Sequence, residues 1–238
     1  MKKQLPPLLI FLGIVVLIFV LVKFDTSLRI NVLRPQEIAN KYSPAPTSLP
    51  SPSPKPLTFE EINKLYGPCV HLPVLFYHHI QNIDVAKANG QQNLTVATDI
   101  FLKQMQYLKD KGYQTVVSNT LTDFFDKGTA VSRGSVILTF DDGYEDFYVN
   151  VLPILRQFGF RAVMAIPTGL VGNPGYLSWG EISEAANSGM EVVNHTWSHA
   201  SMGGSDTSLI QREISTADSQ LSQRGMNPNR VFVYPYGT

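Results

Sequence analysis

Two regimes of apolar patterning divide the chain. Residues 5–22 run without a charged side chain, and from about residue 71 short apolar runs alternate with stretches of helical periodicity. The second regime predicts strands and helices in turn. Residues 73–77 read as a first strand ending at His78 and His79, and a long polar loop follows to Thr98. Over residues 99–111, Phe101, Met105 and Leu108 fall on one helical stripe, stopped by Gly112. Residues 115–117 form a second strand, 121–127 a short helix ending at Gly128, and Ser135–Phe140 a third strand. Val151, Leu155 and Phe158 mark the next helix, ended by Gly159, before a fourth strand over 161–166. Ser178-Trp-Gly-Glu181 spells a capping box, opening a helix that ends before Gly189. A fifth strand, Glu191–Asn194, runs straight into His195. Ile210, Ile214, Ala217 and Leu221 share one side of a helix over 209–221, and 231–233 is a sixth strand. Repeated strand–helix units predict a parallel sheet, either open and doubly wound or closed as a barrel. In both closures chemistry belongs at the C-terminal ends of the strands. His78, Asp141, Asp142, His195, His199 and Tyr236 all fall there.

The charge-free run over 5–22 follows Lys2 and Lys3 and is near the minimum for crossing a bilayer core of about 30 Å. No Ala-x-Ala site follows it, which favours an uncleaved signal anchor over a cleaved signal peptide. Lys2 and Lys3 favour a cytoplasmic N-terminus and an extracytoplasmic remainder, although Lys23 and Arg29 lie on the other side. From residue 43 to residue 56 proline stands at nearly every second position, the composition of a semi-rigid spacer. The expected organisation is a membrane anchor over 1–24, a Pro/Ser-rich linker over 25–56, a lead-in over 57–71 with a short amphipathic helix, and an α/β domain over 72–238. Formal net charge is zero, with 19 basic and 19 acidic residues, which argues against nucleic acid as a partner. The single cysteine, Cys69, excludes an internal disulfide and a Cys-based zinc site.

The third strand empties into adjacent carboxylates, Asp141 and Asp142, and then Gly143. Paired acids at the end of a buried strand are costly unless a cation offsets them; the alternative is an acidic cap on the next helix. His195-Thr-Trp-Ser-His199 places two imidazoles four positions apart, as a metal ligand pair or as two surface histidines. One carboxylate with two histidines makes an open three-ligand site suited to a catalytic divalent ion, Zn2+ first, with Co2+, Ni2+ or Mn2+ also suited. The second carboxylate is then free to take a proton. Such a set suits hydrolysis of an amide or ester. There is no Gly-x-Ser-x-Gly elbow, no Walker loop and no dinucleotide-binding glycine motif. Adjacent acids splay apart, a poor fit to the facing carboxylates of a glycosidase.

Thr139-Phe-Asp-Asp-Gly143, His195-Thr-Trp-Ser-His199 and Tyr234-Pro-Tyr-Gly237 together resemble the motifs of the NodB-homology polysaccharide deacetylases, carbohydrate esterase family 4, over residues 72–238. The Tyr-Pro-Tyr-Gly form and the first strand ending in Tyr77-His78 look closest to the poly-N-acetylglucosamine deacetylase branch. The resemblance implies a distorted (β/α) barrel and metal-dependent removal of N-acetyl groups from an extracellular or cell-wall polysaccharide containing N-acetylglucosamine. Alternatives on the same scaffold are a catalytically impaired sugar-binding relative, an O-acetyl esterase or another amidohydrolase. Carried over by motif, Asp141 is the catalytic base, and Asp142, His195 and His199 are metal ligands. The backbone N–H of Tyr236 faces the oxyanion, while Pro235, Tyr236, Trp197 and His78 line the sugar groove. Thr196 or Ser198 is a candidate for orienting the second motif. His78 and His79 are otherwise expected to be one packing partner and one exposed residue. Two departures stand out. Val233 occupies the place where many members carry an arginine that steadies the base. A later Leu-x-His motif, whose histidine is the general acid, is expected beyond Thr238, so the barrel is expected to be incomplete, with an open sheet edge and reduced activity.

Overall fold

The structure is a computed structural model describing residues 55–237. The expected membrane segment and nearly all of the proline-rich linker lie outside the described residues. Among the described residues no helix is long and apolar enough to cross a membrane. Residues Leu57–Thr238 form one compact unit.

Seven strands and seven α-helices are described. Helix α1, Phe59–Tyr66, starts at a capping box in which Thr58 and Glu61 satisfy each other's backbone N–H. The strands are β1 Val74–Tyr77, β2 His79–Gln81, β3 Thr95–Ala97, β4 Gln114–Val116, β5 Ser135–Phe140, β6 Val163–Ile166 and β7 Glu191–Asn194. The remaining helices are α2 Ile83–Ala88, α3 Thr98–Asp110, α4 Asn119–Lys127, α5 Leu152–Phe158, α6 Trp179–Asn187 and α7 Thr207–Ser222.

β5 is the axis of a five-stranded, all-parallel sheet. β1 pairs along one side of it, Val74 opposite Ile137 through Tyr77 opposite Phe140. The other side is shared: β4 covers Ser135 to Ile137, and β6 covers Thr139 and Phe140. β7 pairs with the far side of β6. β5 is apolar throughout its middle because both of its faces are covered. Val136, Leu138 and Phe140 join Phe101, Met105, Leu155 and Ile182 in the larger core, beneath α3, α5 and α6. Ile137 joins Val117, Val163, Ala165 and Val193 on the opposite face. The sheet is thus the parallel α/β arrangement that the strand–helix alternation predicts. Among the described residues β1 pairs only with β5, and Val74, Leu75 and Phe76 on it are exposed.

Two expectations need correction. The stretch taken for a long polar loop between His79 and Thr98 contains α2, a 3-10 turn at Gln92–Leu94, and a two-stranded parallel sheet of β2 and β3. Its apolar anchors are single residues, Ile80 and Ala86, both fully buried, too sparse to register as a period. The sixth strand over 231–233 is reduced to one parallel bridge, Asn194 opposite Phe232. Left-handed Asn227 and Arg230 precede it and Pro235 follows it, leaving only a few extended residues.

Candidate metal centre and active site

The site is built where β5, β6 and β7 end. Asp141 continues the ladder, donating its N–H to the Tyr77 carbonyl at 2.9 Å. Asp142 and Gly143 then both take positive φ, 72° and 68°, which turns the chain off the sheet and leaves the Asp142 carboxylate buried at its rim. Aspartate tolerates the left-handed region better than most residues. At Gly143 a side chain would meet Ile166 Cδ1 at 3.1 Å as well as a strained backbone.

The second group of ligands follows β7. Asn194 ends the strand, and its Oδ1 accepts the Thr196 N–H at 2.8 Å while its Nδ2 donates to the Ile214 carbonyl and to Asp218. His195 donates its backbone N–H to the Ile166 carbonyl at 3.2 Å. The turn onward to His199 requires φ of 70° at Thr196 and 61° at His199. A β-branched threonine in that region is a strained residue. The loop after β6 braces it: Thr168 N–H donates to the Thr196 carbonyl at 3.2 Å, and Gly169 N–H donates to the Trp197 carbonyl at 2.7 Å.

These turns bring Asp142, His195 and His199 together, each with a ligand atom within 4.8 Å of the others. Asp142 Oδ1 stands 3.3 Å from His195 Nε2 and 2.9 Å from His199 Nε2. His195 Nδ1 lies 2.9 Å from the Val233 carbonyl, which can only accept, so Nδ1 carries the hydrogen. With the ring neutral, as a metal ligand must be, His195 Nε2 presents a lone pair to a carboxylate oxygen; with the ring protonated, it donates a hydrogen to that oxygen instead. Asp142 Oδ1 is buried with no aligned hydrogen-bond donor, so these short contacts are better suited to a shared cation than to hydrogen bonds. Bonds of about 2.0–2.2 Å to an ion, meeting at tetrahedral or right angles, place neighbouring ligand atoms roughly 2.9–3.4 Å apart. The two separations from Asp142 fall in that range, and the two imidazole nitrogens lie within 4.8 Å of each other. Burial opposes ionisation of Asp142, but the imidazoles of His195 and His199 more than offset it and hold the carboxyl well below the usual range.

Asp141 behaves oppositely. Burial pushes its carboxyl up and Asp142 adds to the rise, while His195, His78 and His199 pull it down only in part. Its Oδ1 is buried and without a hydrogen-bond partner. A carboxylate raised in this way, beside a metal-ligand set, is poised to take a proton.

The remaining expected residues surround the centre. His78 is half-buried at the rim, edge-on to Phe76. The Tyr236 ring stands 4.8 Å from that of His199, on a backbone with φ 58°, and is exposed, whereas Pro235 is buried. Trp197 is exposed on one side and packed on Gly169 on the other. At Val233 the backbone carbonyl, not a side chain, serves the site. His79 is buried, with Nδ1 2.6 Å from Asp146 Oδ2 and its ring stacked on Tyr144 at 3.7 Å. His79 was noted in the sequence, but its partner Asp146 was not, and neither Asn194 nor Gly169 was given a role there; Asn194, the polar residue closing an apolar strand directly before His195, carried the one available signal. A cleft of about 380 Å3 adjoins the centre through Tyr144 and Tyr176, lined also by Gln81, Gln91 and Glu145.

The region that holds these residues is similar to known proteins. Residues 128–238 match the sequence family described as polysaccharide deacetylase. The Bacillus subtilis (strain 168) protein YxkH, whose name places it among polysaccharide deacetylases, is 26% identical over 166 residues, 70% of this chain and 57% of its own length. The Escherichia coli (strain K12) poly-beta-1,6-N-acetyl-D-glucosamine N-deacetylase is 30% identical over 138 residues, 51% of this chain and 20% of its own. The chain therefore spans little more than half, or only a fifth, of these relatives. The solved structure of the Streptococcus pyogenes deacetylase PplD in complex with acetate superposes with a TM-score of 0.64 at 28% identity, covering 70% of this chain and 74% of that one. With the paired acids, the histidine loop and the Tyr-Pro-Tyr-Gly turn all inside the matched region, the chain carries a polysaccharide deacetylase domain of the NodB type.

Proposed function

We propose that this domain hydrolyses N-acetyl groups on a polysaccharide containing N-acetylglucosamine, with a divalent ion, Zn2+ first, held by Asp142, His195 and His199. The observation that carries the reading is the convergence of those three ligands beside Asp141, a fourth ionisable group that none of them neutralises fully. An ion held there supplies Lewis-acid polarisation of a carbonyl and acidifies water. Asp141, its proton affinity raised by burial, accepts the proton of the attacking water at a carboxylate oxygen. The Tyr236 backbone N–H is the candidate donor to the developing oxyanion, beside His199. The exposed rings of Trp197 and Tyr236 offer apolar faces for a sugar ring, with Pro235 and His78 completing the groove. The named activity of the E. coli relative supports a poly-N-acetylglucosamine substrate. A location outside the cytoplasmic membrane, tethered by residues 5–22, rests on the sequence alone.

One observation favours a second reading, a sugar-binding relative of low activity. With Val233 in place of arginine, the groups found to lower the Asp141 carboxyl are imidazoles only, so the base lacks a permanent cationic partner. Acetate release separates the readings. Metal-loaded protein is assayed on oligomers of N-acetylglucosamine and on an N-acetylated peptide. Release from the sugars that disappears in Asp141→Asn supports deacetylation. Stoichiometric metal and sugar binding without acetate release supports the second reading, and release from the peptide alone contradicts both.

A further inference from the structure

We propose that Glu213 is a positioning residue for the metal centre: its buried carboxylate clamps the loop between His195 and His199 and so fixes where the second imidazole stands. Glu213 lies on α7 and is 2% exposed. It shares the buried face of that helix with Ala217 and Leu221. A carboxylate there is out of keeping with the pattern unless something pairs it. What pairs it is the histidine loop. Oε2 accepts the N–H of Trp197 at 3.1 Å and of Ser198 at 2.7 Å, and Oε1 accepts the Ser198 hydroxyl at 3.0 Å.

The arrangement answers a local problem. Left-handed residues bracket the loop, Thr196 before and His199 after, and successive N–H groups in such a turn converge into a pocket for an anion. Glu213 fills that pocket from a different element, the next helix, fifteen residues beyond Ser198. The two histidines are not equally supported without it. His195 is tied by its backbone to Ile166 and by Nδ1 to Val233. Among the described residues the ring contacts recorded for His199 are with members of the site itself: Asp142, His195 and Tyr236. Loss of the clamp therefore falls on His199 and on the three-ligand geometry, not on β7. Residues that orient metal ligands from outside typically change affinity by about 10–100-fold.

The inference rests on the metal-centre reading, and its test is metal affinity, not turnover. Zn2+ and Co2+ are titrated into metal-free wild type, Glu213→Ala, Glu213→Gln and Ser198→Ala, with Co2+ absorption reporting ligand geometry and circular dichroism reporting folding. Glu213→Ala is expected to weaken metal binding by about tenfold or more and to change the Co2+ spectrum. Glu213→Gln keeps a carbonyl for both N–H groups and is expected to stay within about threefold of wild type. Ser198→Ala, at an exposed residue, loses one of the three bonds and is expected to fall between them. A folded Glu213→Ala with wild-type affinity overturns the proposal, as does a Glu213→Gln as weak as the alanine variant. If Glu213→Ala does not fold, Ser198→Ala at wild-type affinity overturns it. Failure of the wild type to bind either ion refutes the metal centre itself, a separate outcome.

Discussion

Gly169→Ala tests how the centre is braced. A Cβ at Gly169 would sit 2.7 Å from the Trp197 backbone oxygen and from Cε2 and Nε1 of its indole. Backbone cannot swing aside as a side-chain tip can, and the same Trp197 oxygen accepts the Gly169 N–H at 2.7 Å. Relief requires the two loops to part, which breaks that bond. Overpacking costs about 1–3 kcal/mol, and the lost hydrogen bond adds about 1 kcal/mol. For a domain of this size that corresponds to a fall in Tm of roughly 5–10 °C. Because Trp197 lies between the two histidine ligands, the displacement also reaches the metal, with affinity expected to fall about tenfold. Gly180→Ala is the control. It lies inside α6, where a Cβ finds only Ser178 Oγ at 3.8 Å, and the gain in helix propensity is about 1 kcal/mol. Differential scanning calorimetry and metal titration of both variants decide the matter. A Gly169→Ala protein with wild-type Tm and wild-type affinity would refute the argument that this contact holds the histidine loop.

Asp141→Asn is expected to abolish acetate release while leaving metal affinity within about threefold, since Asp141 is not a ligand; retained turnover would remove it as the base. The same variant has a pH signature in the metal-free protein. The folded Asp141 carboxyl holds its proton more tightly than in the unfolded chain, so its contribution is present below the ordinary carboxylate range and lost as pH rises through the raised value. Urea midpoints should therefore show Asp141→Asn gaining on wild type as pH rises above the ordinary carboxylate range, and a falling difference would contradict the raised proton affinity. His195→Ala is expected to lose stoichiometric metal, read by elemental analysis after dialysis, and full occupancy would exclude it as a ligand. Ser178→Ala removes the hydroxyl that accepts the Glu181 N–H at the start of α6 and is expected to cost about 1 kcal/mol, with no effect on metal affinity.

How far the chain could be read depended on whether the information was local. β5 and β7 matched their expected bounds because each is an apolar run that stops abruptly, at Asp141 and at His195. The capping box at Ser178 and Glu181 is a four-residue code and formed as written. The clustering of Asp142, His195 and His199 was legible because β5 and β7 end just before Asp142 and His195, and His199 follows within one short turn, so a parallel sheet delivers them to one rim. The braces were not legible. The approach of Gly169 to Trp197 and the reach of Glu213 into the histidine loop exist only once separate units pack. His79 looked like half of a rim pair, yet its burial against Tyr144 and Asp146 depends on β2, a strand whose one fully buried residue, Ile80, gives no period to detect.

The central claim is that three side chains grip one ion while a neighbouring acid stays free. A crystal of the protein soaked in Zn2+ and measured across the zinc absorption edge reads this directly. One anomalous peak is expected, bonded to an Asp142 oxygen, His195 Nε2 and His199 Nε2 at about 2.0–2.2 Å, with Asp141 outside bonding distance. Zinc bound elsewhere, or bound through Asp141 in place of Asp142, would contradict the account.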